Sequence, residues 1–337
     1  MPVSIRDLAS KLNLSITQVS RALGGYSDVS ESTREKVIQA ARELGYEPSY
    51  AARQLRRKRA DAIGYILPTS SPRFSDPFYA NFLTGLCDEA AEHQIDVVVS
   101  SCAPESEAEE KMYQRWFQST RVDGMVINRV RNHDWRIQYL AENQMPFVSL
   151  GLPESNNEIP GVKVNERGGF ERLVLHLKEK GHKRIAFING PTELVVIQDR
   201  FAGYQQGLTR ASLQFEDELV VQGNLNQDGG YLAARKLLQI KNPPTAILAC
   251  NDQTAIGALR AAKEARINIG ASFSIAGFDG IREAEYSDPP LTTLYQPTYE
   301  IARQLTAMLV KLINHQPINL PVPQIEPELI LRASTEA

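Results

Sequence analysis

Two short segments near the start of the chain repeat their apolar residues at helical spacing. They cover residues 4–11 and 15–23, and a tight turn at residues 12–14 joins them. Ser4 and Ser15 stand where the N-caps of the two helices belong. The apolar residues recur every three or four positions, so each set lies on one helical face. They are Ile5, Leu8, Ala9 and Leu12 in the first segment and Ile16, Val19, Ala22 and Leu23 in the second. This pattern predicts a helix-turn-helix.

A third helical pattern follows at residues 30–44, with Ser30 as its candidate N-cap and Gly45 placed to end it. Three helices joined by short turns would bury their apolar faces against one another. The second helix then leaves outside the side-chain types that reach phosphates and base edges in the major groove of DNA. These side chains are Thr17, Gln18, Ser20 and Arg21. The alternative is a generic three-helix bundle with a polar face.

Residues 47–60 combine a small apolar stripe with a concentration of positive charge. Ala51, Ala52 and Leu55 form the stripe. The basic residues beside it are Arg53, Arg56, Arg57, Lys58 and Arg59. A segment this short is not a stable helix alone, so we expect a hinge helix that folds when it binds DNA. Small alanines would let two copies pack closely, and Leu55 could insert between base steps of the minor groove. A solvated basic linker is the alternative.

The distribution of charge agrees with a nucleic-acid partner for this first part of the chain. Residues 1–60 carry 11 Lys and Arg against 6 Asp and Glu, a net charge of +5, whereas the remaining residues carry −8. A basic module on an acidic body suits an arm that meets a polyanion. An ordinary fluctuation in charge is the alternative explanation.

Several other classes of protein are disfavoured. The three cysteines lie far apart with no CxxC or His-spaced cluster, so we expect neither a structural metal nor a disulfide framework. The start has no apolar signal region, and no stretch of about 18 apolar residues occurs. We therefore expect a protein without membrane contact or cofactor, located in the cytoplasm and associated with the nucleoid when bound to DNA.

From residue 62 onward, short β-rich runs alternate with helical ones. The apolar runs of a first set are AIGYILP, DVVVSS, GMVIN and FVSLG, and those of a second set begin with VKV and end with FSIAGFD. This alternation predicts parallel sheets with helices on both faces, in two doubly wound lobes. We place the first lobe at about residues 61–160 and 292–322 and the second at about 161–291 and 323–337. Multiple crossings between lobes would form a hinge that closes on a ligand.

Polar residues follow the apolar runs, at the carboxyl ends of strands where open α/β sheets bind ligands. They are Thr69, Ser70, Ser101, Asn128, Asn189, Asn251, Asp252 and Asp279. Arg200 falls near the start of a following helix, and Phe74 and Phe78 could form an apolar wall. Amides, carboxylates and a guanidinium together suit the donors and acceptors of sugar hydroxyls. Capping of the next helix is the alternative for each residue taken singly.

The first sixty residues resemble the DNA-binding head and hinge of the LacI/GalR repressor family. The resemblance rests on VSIRDLASKLNLSITQVSRALGG, VSESTREKVIQAARELGYEPS and AARQL. It implies that Ile16, Thr17 and Arg21 read bases and that Leu55 is the hinge wedge. It also implies phosphate contacts for Ser4, Ser15, Gln18, Ser20 and Thr33. The sequence departs from the usual family pattern at Gln18, commonly Thr, at Gly24, commonly Asn, and at Ser49, commonly Asn.

The body is similar to the periplasmic-binding-protein-like effector core of the same family. The motifs are DGMVIN, NGP, DRFAGY, ILACNDQTAIGALRA, IAGFDG and PPLTTLYQP. The resemblance implies effector contacts for Asn128, Arg200, Asn251 and Asp279, with Asp76 and Phe78 in the loop that lines the pocket. Gly151 replaces a residue that is often charged. The resemblance also implies a homodimer, and the absence of a heptad segment before Ala337 argues against a tail-mediated tetramer.

Together these features predict a ligand-responsive repressor of a carbohydrate-utilisation operon. It would bind a near-palindromic operator as a dimer and be released by a small sugar-like effector. A co-repressor-dependent regulator that binds a purine or sugar phosphate, a transcriptional activator and a sugar-binding protein without DNA function are the alternatives. Asp252 and Asp279 could form the carboxylate pair of a sugar hydrolase. We expect no enzyme, because the chain contains no GxSxG, P-loop, HExxH or GxGxxG motif.

Overall fold

The computed structural model describes residues 3–46, 59–69, 76–152, 159–320 and 324–336. The chain divides into two compact units, residues 1–60 and 61–337. Within the described ranges, no helix is both long enough and apolar enough to cross a bilayer. The predicted hinge residues Ala52 and Leu55, the predicted cleft residue Ser70, and Phe74 lie outside the described residues.

The first unit is a three-helix head. Its helices are α1 (Ile5–Leu12), α2 (Ile16–Leu23) and α3 (Glu31–Leu44). Each begins at the predicted serine, because the side chains of Ser4, Ser15 and Ser30 accept hydrogen bonds from backbone N–H groups of the first turn. The helices share a small core of Leu8, Ala9, Val19, Ala22, Val37, Ala40 and Ala41. The predicted helix-turn-helix head is confirmed.

The second unit consists of two α/β lobes, as predicted. The first lobe contains strands β1 (Ala62–Pro68), β2 (Asp96–Cys102), β3 (Gly124–Ile127), β4 (Phe147–Leu150), β5 (Gly161–Val164) and β11 (Gln324–Ile325). Its helices are α4 (Pro77–Glu92), α5 (Glu107–Gln118), α6 (Trp135–Glu142) and α12 (Thr298–Ile313). The strand order is β11-β5-β4-β3-β1-β2, and every pairing is parallel.

The second lobe repeats this architecture. Its strands are β6 (Ile185–Asn189), β7 (Val220–Gln222), β8 (Ala246–Ala249), β9 (Ser274–Asp279), β10 (Thr292–Tyr295) and β12 (Glu328–Ile330). Its helices are α7 (Glu166–Glu179), α8 (Val195–Arg210), α9 (Gln227–Gln239), α10 (Asp252–Glu264) and α11 (Arg282–Tyr286), with a 3₁₀ turn at Asp217–Leu219. The order is β12-β10-β9-β8-β6-β7, and only the β10–β12 pairing is antiparallel among the described strands.

Helices cover both faces of each sheet, which explains why the central strands are buried throughout. All seven residues of β1 are buried. Tyr65 packs against Phe82 of α4, whereas a Cβ at the neighbouring Gly64 would lie 2.7 Å from the ring of Trp116 on α5. In the second lobe, Phe187 of β6 stacks on Tyr204 of α8. Strands buried on both faces are typical of parallel sheets.

The lobe boundaries differ from the predicted ones. The VKV run, now β5, pairs with β4 in the first lobe, although we expected it to open the second. β10 pairs with β9 in the second lobe rather than returning to the first. The late apolar run near the C-terminus splits into β11 in the first lobe and β12 in the second. The reason is that apolar periodicity identifies a strand but not its neighbour, since a buried strand presents the same pattern to either sheet.

The chain therefore crosses between the lobes after β5, β10 and β11. The crossings lie at Asn165, at residues 296–297 and at residues 326–327. Hydrogen bonds join the first and third: the backbone N–H of Asn165 donates to the carbonyl of Ile325, and Asn165 Nδ2 donates to Glu326 Oε1 at 2.7 Å. Three connections between the lobes are the arrangement from which the sequence predicts a hinge, and closure about them stays a prediction.

Candidate functional site

The outward face of α2 carries the side chains predicted to meet DNA. Thr17, Gln18, Ser20 and Arg21 are exposed, and Ile16 is 46% exposed although it is apolar. Val19 and Ala22 of the same helix are buried in the head. The helix thus presents a polar surface interrupted by one aliphatic side chain, which is a composition suited to base edges and thymine methyl groups.

Several of the predicted phosphate-binding side chains also cap helices. Gln18 Oε1 accepts hydrogen bonds from the backbone N–H of Ser15 at 2.9 Å and from Ser15 Oγ at 3.0 Å. Ser4 and Asp7 form the equivalent pair on α1, and these bonds lower the pKa of Asp7. Thr33 is half-buried, with its hydroxyl 2.8 Å from Ser30 Oγ. The capping hydrogen bonds hold these side chains in place. Their contacts with DNA stay a prediction.

Arg21 is held by two neighbours within the head. Its Nε donates to Asp28 Oδ1 at 3.2 Å, and its Nη2 lies 2.6 Å from Asp28 Oδ2. The guanidinium carbon lies 5.0 Å from the centroid of the Tyr26 ring. Arg21 therefore has a defined orientation in the absence of DNA.

The second unit contains a cleft between its lobes. Six of the seven predicted effector residues line it, and Ser70 lies outside the described residues. The six are Asp76, Phe78, Asn128, Arg200, Asn251 and Asp279. The first three come from the first lobe and the others from the second, so the cleft is polar on both sides and suits a small ligand.

Arg200, near the start of α8, lies at the centre of the second-lobe wall. Its Nε donates to Glu166 Oε2 at 2.8 Å, and its Nη1 donates to the carbonyl of Cys250 at 2.6 Å. Its Nη2 lies 3.3 Å from Glu166 Oε1 and 3.6 Å from Asp279 Oδ1. The guanidinium carbon is 4.0 Å from the centroid of the Phe278 ring. The guanidinium thus holds two buried carboxylates in fixed positions.

Burial governs the protonation of these carboxyl groups. It raises the pKa of Glu166 and raises that of Asp279 well above its usual range, and the nearby Arg200 guanidinium opposes both shifts. Asp279 also adopts φ 117°, a strained conformation for a residue with a side chain, and accepts a hydrogen bond from Gln296 Nε2 at 2.7 Å. The strain and the surrounding bonds fix this carboxyl at the cleft wall.

Two of the cleft residues also cap helices. Asn251 Oδ1 accepts hydrogen bonds from the backbone N–H and hydroxyl of Thr254, and its Nδ2 donates to the carbonyl of Leu225. Asp76 caps α4 by accepting from the N–H of Phe78 at 3.1 Å. Capping and lining the cleft are therefore compatible, because both follow from a position just beyond a strand or at the start of a helix.

Asn128 shows where a ligand could add a hydrogen bond. It is buried at the end of β3, and its Nδ2 donates to the hydroxyl of Tyr65. Its Oδ1 has no hydrogen-bond partner among the described residues. Because a buried acceptor without a partner is costly, a donor from a bound ligand would be favoured at this position.

The cleft includes residues that the sequence reasoning missed. They are Tyr79, Arg129, Leu150, Glu166, Leu194, Val196, Ile197, Leu225 and Gln296. Glu166 follows β5 and Gln296 follows β10, so the strand-end rule that found Asn128 could also have found both. Arg129 has φ 50° directly after Asn128, and no sequence signal indicates this conformation.

Other polar residues after strands do not line the cleft. They are Thr69, Ser101, Asn189 and Asp252. Asp252 is fully buried behind the wall, where its carboxylate accepts from the Thr293 hydroxyl at 2.6 Å and from the N–H of Ile281 at 2.9 Å. Burial raises the pKa of Asp252 to about 7. Asp252 and Asp279 therefore do not face a common ligand as a hydrolytic pair.

The lobes contact each other at one edge of the cleft. The N–H of Val195 donates to the carbonyl of Val130 at 2.9 Å, and Asn132 Nδ2 donates to Gln198 Oε1 at 2.8 Å. The residues following Asn128 and Arg129 therefore bridge to the start of α8, the helix that carries Arg200. The contacts between the lobes therefore lie beside residues of both cleft walls.

Comparison with known proteins identifies the family. The model for bacterial regulatory proteins of the lacI family matches residues 4–49, and that for a periplasmic binding protein-like domain matches residues 174–335. The transcriptional regulator AglR of Rhizobium meliloti (strain 1021) is 36% identical over 99% of this chain and 95% of its own length. The chain belongs to the LacI family. A second relative supports this assignment. The transcriptional repressor CytR of Escherichia coli (strain K12) is 33% identical over 99% of this chain and 96% of its own length.

Solved structures of LacI-family proteins match the full length of the chain. The lac repressor dimer bound to operator and the anti-inducer ONPF has a TM-score of 0.82 at 27% identity, covering 100% of both chains. The complex of the regulator CelR with cellobiose has a TM-score of 0.76 at 28% identity, covering 98% of this chain and 99% of its own. This LacI-family protein is a DNA-binding transcription regulator and not an enzyme, as predicted.

Proposed function

We propose that this LacI-family regulator is a repressor that binds a near-palindromic operator as a homodimer and is released by a neutral, sugar-like effector. The likeness over the full chain to the operator-bound lac repressor dimer supports the assembly. The likeness to the cellobiose complex of CelR supports a sugar as effector. The side chains that line the cleft give further support for a sugar effector, independent of the family likeness.

The observation that carries the effector proposal is the unpaired oxygen of Asn128 in a cleft rich in polar groups. Asn128 Oδ1 needs a donor, and Asp279 and Glu166 are acceptors held at the opposite wall by Arg200. A molecule with hydroxyl groups pointing in several directions satisfies such sites together. Phe78 and Leu150 supply apolar surface for the faces of a sugar ring.

The charges of the cleft favour a neutral effector over a phosphorylated one. The ionisable side chains that line it are three carboxylates, Asp76, Glu166 and Asp279, and two guanidiniums, Arg129 and Arg200. Arg200 already faces Glu166, Asp279 and the carbonyl of Cys250. A phosphate would have to compete with these acceptors and would approach buried carboxylates, which costs free energy.

The test is operator binding by the full-length protein on sequences selected from random DNA at fixed salt. Neutral mono- and disaccharides, their phosphates, nucleosides and purine bases are added in turn. We expect release by one neutral sugar and no response to its phosphate. Release or tightening by a purine or a sugar phosphate would contradict the proposed effector, and failure to select any sequence would contradict operator binding. Tightening by the sugar would make the protein a co-repressor-dependent regulator.

Arg21→Ala tests the base-reading part of the proposal. We expect it to weaken binding to the selected operator by about 1–3 kcal/mol and to remove the preference for one base pair in each half-site, because a bidentate contact to a base edge is lost. Gln18→Ala is the control and should weaken all sequences similarly. Equal losses on operator and random DNA for Arg21→Ala would show that Arg21 does not read bases.

A further inference from the structure

The contact between Arg21 and Asp28 uses one particular edge of the guanidinium. Arg21 Nε and Nη2 face Oδ1 and Oδ2 of Asp28, at 3.2 Å and 2.6 Å. This is the side edge of the planar group, and the two parallel contacts restrain rotation about the last bonds of the side chain. The opposite end of the group, formed by Nη1 and the second N–H of Nη2, points away from the carboxylate.

That remaining end has the geometry required to recognise guanine. Two parallel N–H groups of arginine match the O6 and N7 acceptors of guanine in the major groove. A carboxylate bound at the side edge leaves these two N–H groups available. It also lowers the side-chain entropy that Arg21 loses on binding DNA, because the side chain is already ordered. Asp28 is itself an acceptor and can take a hydrogen bond from the amino group of a neighbouring cytosine or adenine.

The turn after α2 is shaped to hold this arrangement. The ring of Tyr26 lies under the guanidinium of Arg21, and the N–H of Tyr26 donates to the carbonyl of Arg21. A Cβ at Gly24 would lie 2.7 Å from the Tyr26 ring, so glycine makes room for the ring at a position where the family commonly has asparagine. The carbonyl of Tyr26 accepts from Arg34 Nη2 at 3.0 Å, which ties the turn to α3.

We propose that Asp28 is a positioning residue for base recognition, which holds Arg21 so that its free end contacts a guanine in the operator. This inference rests on the proposed base-reading role of Arg21. Because the pair is half exposed, it contributes little to folding stability. Its effect is on discrimination between base pairs, and the carboxylate lowers affinity for all DNA through repulsion by phosphates.

The experiment measures base discrimination by full-length variants at one fixed salt concentration. Operators that carry each of the four base pairs at every half-site position are titrated with wild type, Asp28→Asn, Arg21→Ala and Glu35→Gln. Glu35 is exposed on α3, and its replacement removes the same charge from the head. Wild type should prefer guanine at one position by about tenfold or more.

Asp28→Asn should reduce that preference at least about threefold while binding all sequences more tightly, because the carboxylate that orients Arg21 and repels phosphate is gone. Glu35→Gln should leave the preference at every position unchanged. Asp28→Asn with the wild-type preference at the Arg21-dependent position would overturn the inference. If Arg21→Ala keeps every preference, the base-reading role of Arg21 fails first and the inference fails with it, so the two failures are distinguishable.

Discussion

Replacing Arg200 with alanine is expected to weaken effector binding at least about 100-fold while operator binding remains. The variant should also lose about 3–5 kcal/mol of folding stability, because one partner of a buried ion pair is removed. Arg200 holds Glu166 and Asp279 at the cleft wall. Without it, the two carboxylates repel each other and lose their fixed positions. Calorimetric titration with the sugar identified by the operator-release panel measures effector binding, and operator titration without sugar measures operator binding.

The free energy of unfolding of Arg200→Ala should depend more strongly on pH than that of wild type. Burial raises the pKa of Glu166 and Asp279, and Arg200 opposes both shifts, so its removal raises both pKa values further. A carboxyl with a raised pKa in the folded state stabilises the fold below its unfolded pKa, and this contribution is lost as pH rises through the folded pKa. The stability deficit of Arg200→Ala should therefore be smaller at about pH 5 than at about pH 8.

Arg260→Ala provides the control, because Arg260 lies on α10 of the same lobe, and both its side chain and that of its ion-pair partner Glu264 are largely exposed. It should change neither sugar affinity nor the pH dependence. Arg200→Ala with wild-type sugar affinity would remove Arg200 from the binding site. A stability deficit that is constant across this pH range would mean that the two carboxyls do not depend on Arg200 for their charge.

The parts of this protein that sequence reasoning predicted correctly are those determined over a few residues. Ser4, Ser15 and Ser30 start their helices because a hydroxyl satisfies backbone N–H groups two or three residues away. Asn128 and Asn251 reach the cleft because they directly follow strands, and the ends of parallel strands share one edge of the sheet. In these cases local spacing is sufficient information.

The parts that were missed depend on which elements become neighbours. Glu166 and Gln296 also follow strands, but β5 and β10 each belong to the lobe opposite to the one that the sequence predicts. The crossings occur after β5 and β10 rather than before them. Strand partners are determined by tertiary packing, which the apolar pattern of one chain does not encode.

A buried ionic cluster in the first lobe is a second feature that the sequence pattern does not predict. It contains Glu109 at the start of α5 and Arg131, Asp134 and Arg136 in the segment after β3. Charged residues in the first turn of a helix usually face solvent, and these are buried because α5, α6 and the loop after β3 meet there. Arg136 Nη2 donates to the carbonyls of Asn128 and Arg129, so the cluster supports one wall of the cleft.

Arg136→Met is expected to destabilise the effector unit by about 3–5 kcal/mol, because it leaves buried carboxylates without their cation. Arg136 is only 1% exposed, its Nε lies 2.8 Å from Asp134 Oδ1 and its Nη1 lies 3.6 Å from Glu109 Oε1. Burial alone would raise the pKa of Asp134, but hydrogen bonds from Arg136 hold it below its usual value, so the pair is ionised. Urea denaturation followed by the fluorescence of Trp116 and Trp135, the two tryptophans of the chain, reports on this lobe.

Lys111→Met is the matched control, since it removes one positive charge from α5 where the side chain is 69% exposed and pairs with Glu107 one turn away. An exposed pair of this kind is worth less than about 1 kcal/mol, so the urea midpoint of Lys111→Met should barely move.

Arg136→Met should also weaken sugar binding, because the carbonyls that fix Asn128 and Arg129 lose their donor. Equal midpoints for the two variants would show that Arg136 is replaceable by apolar packing, and unchanged sugar affinity would show that the wall at Asn128 holds its geometry without the cluster.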